Sequence, residues 1–142
     1  MTFAYQNNMK NSDYNSVLVT GSIAYDEIMN FPGEFKDFFQ ADLLHQINVS
    51  FVVDKLEKQL GGTANNIAYN LRLVSKAKVD LLGAVGSDAR QFLDFYKKYK
   101  LGTRGLIRDV NQYTATGKVI TDKKDNQIWG FFNGPATQAT EI

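Results

Sequence analysis

Leu60-Gly61-Gly62-Thr63-Ala64-Asn65-Asn66-Ile67-Ala68-Tyr69-Asn70-Leu71 constrains this chain more than any other stretch, because a glycine pair is followed at once by polar residues and an apolar stripe at helical spacing. Glycines without Cβ let main-chain N–H groups approach a polar ligand, and the helix behind them aims its unsatisfied N-terminal amides at the same point. A glycine pair before a helix is also an ordinary turn. The flanking segments have to decide between the two.

Those segments outline a β-α-β frame. Ser16-Val17-Leu18-Val19-Thr20, closed by Gly21-Ser22, reads as a parallel strand buried on both faces, and Asp26 lies just past its C-terminal end. Phe35, Phe38, Phe39, Ala41 and Leu43 are near helical spacing, whereas residues 47–53 alternate and predict a strand. Behind the glycines, Ala64, Ile67, Ala68, Leu71 and Val74 form a helical stripe, and Val79-Asp80-Leu81-Leu82 supplies the next strand. The turn Gly83-Ala84-Val85-Gly86-Ser87-Asp88 offers Ser87 or Asp88 as cap for a helix with Phe92, Phe95, Tyr96 and Tyr99 on its core face. Residues 114–121 and 127–132 read as a hairpin around a charged turn. Residues 1–15 are polar and aperiodic, a flexible leader, and the fold is expected over 16–142. With no closing element at its end, the chain reads as the front part of something larger.

Composition removes several functions. The 142 residues contain no Cys and one His, which leaves no disulfide, no thiolate metal site and little material for a zinc centre or a Ser-His pair. A formal net charge of +1, with both signs interspersed, gives no electrostatic footprint for nucleic acid or an anionic membrane. No run approaches 18 apolar residues and no signal peptide is recognisable, so a cytoplasmic protein is expected. The sequon Asn48-Val49-Ser50 carries no weight without an export signal.

Neither G-x-x-x-x-G-K-[ST] nor G-x-G-x-x-G occurs, which argues against a P-loop enzyme and an NAD-linked Rossmann unit. A different constellation remains. Asp26, the Gly61-Gly62 backbone and Asn66 can meet outside the carboxyl ends of parallel strands, where α/β proteins bind ligands. A carboxylate that accepts two hydroxyl protons, beside an amide that donates and accepts, suits a vicinal diol.

Five elements then occur in an order that resembles the ribokinase-like, PfkB-type sugar and nucleoside kinases: Thr20-Gly21-Ser22-Ile23-Ala24-Tyr25-Asp26, Phe31-Pro32-Gly33-Glu34-Phe35, Asn48-Val49-Ser50-Phe51, Gly61-Gly62-Thr63-Ala64-Asn65-Asn66-Ile67-Ala68 and Gly83-Ala84-Val85-Gly86-Ser87-Asp88. The second and third elements look most like the bacterial adenosine kinase branch, whose chemistry belongs to purine salvage. The resemblance implies an α/β fold, a Rossmann-like parallel sheet with helices plus a small β-sheet lid, here truncated. Lid strands are implied at about 28–32, 47–53, 114–121 and 127–132. It also implies a transferase that moves the γ-phosphate of ATP, with Mg²⁺, to a hydroxymethyl group of a sugar or nucleoside.

Carried over by position, Asp26 holds the sugar diol, Gly61 and Gly62 supply backbone contacts, and Asn66 binds a sugar hydroxyl. Ser22 and Ser50 line the pocket, and Phe131 packs near the base. Asn65 stands where the branch usually has Gly, and Gly117 where it carries an aromatic. The acceptor stays open among adenosine, ribose, fructose and other sugars. The family's Gly-Ala-Gly-Asp segment, with its general-base Asp, does not occur in these residues, so no catalytic or metal-binding residue is assigned and the 142 residues alone are expected to be inactive. Asp88 sits in an earlier turn and is not that base. The alternative is a non-catalytic sugar- or nucleoside-binding or dimerisation module, a homodimer through the lid sheet being a further implication.

Overall fold

The computed structural model describes residues 15–39 and 41–140, so the leader expected at the N-terminus lies, but for Asn15, outside the described residues. Two sheets carry the structure. Strands β1 (Ser16–Thr20), β4 (Lys78–Val85) and β5 (Gly102–Arg108) form a parallel sheet in the order β1-β4-β5. Strands β2 (Ala24–Asn30), β3 (Lys55–Gly61), β6 (Ala115–Thr121) and β7 (Gln127–Phe132) form the second, ordered β3-β2-β6-β7. In it β2 runs parallel to β6, and both edge strands are antiparallel to their neighbours.

Helices α1 (Thr63–Val74) and α2 (Arg90–Tyr99) cover one side of the parallel sheet. The expected aromatic stripe of α2 does pack inward, with Phe92 and Tyr96 fully buried and Phe95 and Tyr99 against them. Val19, Val79, Leu81 and Val85 meet Ala64 and Ala68 of α1 in the same core. Burying such side chains is worth about 1.5–3 kcal/mol each for the larger ones, which makes this layer the main source of stability.

Several sequence expectations need correction. Strand β1 is buried on one face only: Val19 is 6% exposed but Leu18 is 61% exposed. The α1 stripe is narrower than its spacing suggests, since Ile67 and Val74 point to solvent while Asn65 is buried. Residues 47–53 are not a strand. Phe51 instead packs on Phe31, Phe35 and Phe38 at 4.8, 5.0 and 5.5 Å, so its ring fills an aromatic cluster rather than a ladder, and the strand follows at β3. The helix expected near Phe35 is two short 3-10 turns, Phe35–Asp37 and Ala41–Gln46.

Strand β5 has no apolar pattern to betray it, because Gly102 and Gly105 take places where a Cβ would meet the Asp80 carboxylate and the Leu81 carbonyl. Neither Ser87 nor Asp88 caps α2, whose N-cap is Ala89 without a side-chain bond. Their side chains turn instead toward residues 112–114.

Candidate functional site

The glycine pair sits where the two sheets meet. Gly61 ends β3, and Gly62 is the N-cap of α1 with φ +91°. A Cβ at Gly62 would also lie 2.8 Å from both Ile23 Cα and Ala24 N, so conformation and space both require glycine. Ser22 closes the other side. Its Oγ accepts the Thr63 N–H (2.9 Å), its N–H donates to Thr63 Oγ1 (3.2 Å), and its carbonyl accepts the Ala64 N–H (3.0 Å). This reciprocal pair satisfies amides that a helix start leaves free.

Asp26 occupies the adjoining face of the second sheet. In register it stands beside Gln59 of β3 and Gly117 of β6, and Gly117 in turn stands beside Phe131 of β7. Directly opposed residues share a face, so these four line one surface. The carboxylate fits because Gly61 lacks a side chain, while the bare Gly117 leaves room chiefly beneath the neighbouring rings. A Cβ at Gly61 would fall on the carboxylate, and one at Gly117 would stand 3.5 Å from Asp26 Oδ1 and 3.3 Å from the rings of Phe131 and Trp129. Those two rings stack nearly parallel, 2° apart at 5.2 Å.

Among the described residues, no hydrogen bond or ion pair engages the Asp26 carboxylate. Burial raises its pKa, which marks an anion that has lost water without gaining a partner. On the opposite face the next carboxylate behaves differently. Glu27 binds Lys118 at 2.7 Å and Lys58 at 3.3 Å, and the Lys118 hydrogen bond leads in lowering its pKa despite partial burial.

Asn66 lies one turn into α1, exposed, with its N–H on the Gly62 carbonyl at 3.0 Å. Its Oδ1 accepts a long bond from Asn65 Nδ2, at 3.5 Å. Asn65 itself is 3% exposed, and its Oδ1 is buried without a partner. The structure therefore gathers Ser22, Gly61, Gly62 and Asn66 around the start of α1, with Asp26 and Phe131 on the sheet face that begins at Gly61. Ser50 is not drawn in: it is exposed in the irregular segment before β3, with no hydrogen bond to the others among the described residues.

Sequence reasoning passed over Trp129, Gln59 and the role of Gly117 as a socket. The period of two that links Trp129 to Phe131 was a usable signal. Among the described residues no group of three His, Cys, Asp or Glu could hold a metal ion, and no helix is long and apolar enough to cross a membrane.

Known proteins share this fold. The nucleoside kinase of Burkholderia thailandensis in complex with inosine is 34% identical, with a TM-score of 0.74 over 89% of this chain and 39% of that one. The nucleoside kinase of Methanocaldococcus jannaschii, an archaeal member of the ribokinase family, is 25% identical with a TM-score of 0.75, over 90% of this chain and 40% of that one. Ribokinase from Cryptococcus neoformans var. grubii in complex with ADP, at 20% identity and a TM-score of 0.65 over 84% of this chain and 35% of that one, shares the fold. The chain thus spans about two-fifths of the length of the nucleoside kinases it matches. Residues 19–142 match the pfkB family carbohydrate kinases, and the chain belongs to that family.

Proposed function

We propose that these residues form the acceptor-binding part of an ATP-dependent sugar or nucleoside kinase, close to the adenosine kinase branch, that phosphorylates a hydroxymethyl group. The observation that carries this reading is the Asp26 carboxylate, half-buried, unpartnered among the described residues, and seated between Gly61 and Gly117 beside a pair of stacked aromatic rings. Such a carboxylate gains its missing hydrogen bonds from two neighbouring hydroxyls of a ribose-like acceptor. Asn66 and the Gly61-Gly62 backbone reach the same sugar, Ser22 lines its pocket, and Phe131 with Trp129 offers a face to a base. The second sheet acts as a lid that keeps water from the transfer.

Phosphoryl transfer is mostly positioning and charge stabilisation, and both need groups around the phosphates. The described residues hold no metal-binding cluster, and the 142 residues contain no Gly-Ala-Gly-Asp segment, so none of them is assigned to Mg²⁺ or the triphosphate. ATP and Mg²⁺ belong to the whole enzyme. The chain alone should bind an acceptor without turning it over.

A second reading, a dimerisation module, draws on the outer face of the second sheet, where Leu56, Ile128 and Phe132 are 65%, 41% and 49% exposed. Calorimetric titration with adenosine, inosine, ribose and fructose, run beside a coupled ATP assay and sedimentation, separates the two. Acceptor binding without turnover supports the first reading. A dimer that binds no acceptor supports the second, and phosphorylation by the purified chain would refute the division of labour.

A further inference from the structure

The turn after β4 holds the two strands that carry the candidate site. Thr114, fully buried, gives both its N–H (2.8 Å) and its hydroxyl (2.6 Å) to one oxygen, Asp88 Oδ1. The same hydroxyl oxygen accepts the Gly86 N–H at 2.9 Å. Ser87 donates its N–H and its Oγ–H to the Gln112 carbonyl, at 2.8 and 3.0 Å. A side chain at Gly86 would fall onto the backbone of residues 112–114, so the two segments meet with nothing between them.

Asp88 also reaches the neighbouring strand. Its carbonyl accepts the Tyr25 hydroxyl at 2.8 Å, and the Tyr25 ring packs against Phe92 of α2 at 4.7 Å. Burial, and then the charge of Asp88, push the Tyr25 hydroxyl up to about 12, so it remains a donor at neutral pH. Tyr25 precedes Asp26 in β2, and Thr114 directly precedes β6. One residue at the end of the parallel sheet therefore binds both strands whose pairing sets Asp26 beside Gly117. A slip of one residue in that pairing would send alternate side chains to the other face and separate Asp26 from its socket.

We infer that Asp88 is a positioning residue: through Thr114 and Tyr25 it fixes the second sheet on the first and so sets where the Asp26 carboxylate stands. Asp88 Oδ1 is already taken up by Thr114 rather than turned toward the candidate site. The inference rests on the reading of Asp26 as the acceptor contact only for its effect on binding, whereas its effect on the joint can be read without a ligand.

The test uses the full chain with Thr114→Val, which keeps shape and removes the hydroxyl, Thr114→Ser, which restores it, and Asp88→Asn. Hydrogen exchange should quicken about ten-fold at Tyr25, Asp26 and residues 115–117 in Thr114→Val, while Val79, Leu81 and Ala68 keep their protection, and Thr114→Ser should return to the parent pattern. Should Thr114→Val fail to fold, Asp88→Asn carries the same split at smaller amplitude. Exchange that rises uniformly, or not at all, in the folded variants overturns the inference. Adenosine and inosine affinity should fall about ten-fold with the same variants and recover with Thr114→Ser. If the parent chain binds neither nucleoside, the acceptor reading fails while the exchange pattern still decides the joint.

Discussion

In the parallel sheet, the places that face the helices hold Val19, Val79, Leu81 and Val85 beneath Phe92 and Tyr96; in the second sheet, the face beside the glycine pair holds Gly61, Gly117 and an acid. The first arrangement gains stability from apolar burial. The second forgoes it at these places, keeping small residues where, on the proposed reading, a ligand would need room and a desolvated carboxylate where a ligand could supply donors. One half of the molecule thus acts as scaffold, and the half it carries gives up packing to leave a place for something else.

That contrast breaks most visibly at Phe92. Truncating a fully buried phenylalanine costs about 3–5 kcal/mol, so Phe92→Ala should shift the urea midpoint of the whole chain by a large fraction of its stability. Below that midpoint acceptor affinity should hold, apart from mass action on the unfolded fraction. A cost under about 1 kcal/mol would show that the scaffold lies elsewhere.

Asp26→Asn should do the reverse. Losing charge-assisted bonds to two hydroxyls, each about 1.5–3 kcal/mol, should weaken acceptor binding by a hundred-fold or more in calorimetry. Stability should not fall. Burial raises the folded-state pKa above the unfolded one, so ionisation costs stability above the folded pKa and that cost fades as pH drops through it. The amide carries no such cost. For the same reason acceptor binding by the parent chain should weaken on acidification from a higher pH than an ordinary carboxylate would require.

A smaller effect belongs to Asp122, which is 4% exposed. Burial alone would push its carboxyl up, but bonds from the Asn126 side chain and from the N–H groups of Phe35, Lys124 and Asn126 override it and hold the pKa at about 2. Its folded value lies below the ordinary 3.8, so its contribution is present above that value and is lost as pH falls toward about 2. Amide exchange at Phe35, Lys124 and Asn126 should quicken across that window while the core strands stay protected. Simultaneous loss in both sheets would contradict a contrast built on separate chemistries.

What the sequence disclosed follows the same division. The scaffold announces itself through periodicity: the α2 aromatics at helical spacing and the apolar run of β4 needed no tertiary information. Strand β3 did not, because in Lys55-Leu56-Glu57-Lys58-Gln59-Leu60 one face is wholly polar and the other sets Lys58 between two leucines at a sheet edge, and the stronger alternation at 47–53 was spent on an aromatic cluster. Within the candidate site, Asp26, Gly62 and Asn66 were legible because the chain brings them near one junction. Gly117 as a socket was not, since its meaning depends on a parallel register between strands distant in sequence, which no local pattern encodes.

The finest division of the two sheets falls on Phe131, which is 73% exposed and stacked on Trp129. A ring so open contributes little to folding, so Phe131→Ala should leave the thermal midpoint within the range of ordinary surface changes, about ±0.5 kcal/mol. Its effect should depend on the acceptor. A base stacked on the ring gains about 1–3 kcal/mol, so nucleoside affinity should fall several-fold or more, whereas ribose, which has no flat face to offer, should bind as before. Equal losses for inosine and ribose would mean that Phe131 shapes the sugar pocket by holding Trp129 over Gly117. A loss confined to the nucleoside would place the base on the aromatic pair and the sugar at Asp26, with Gly117 keeping the space between them open.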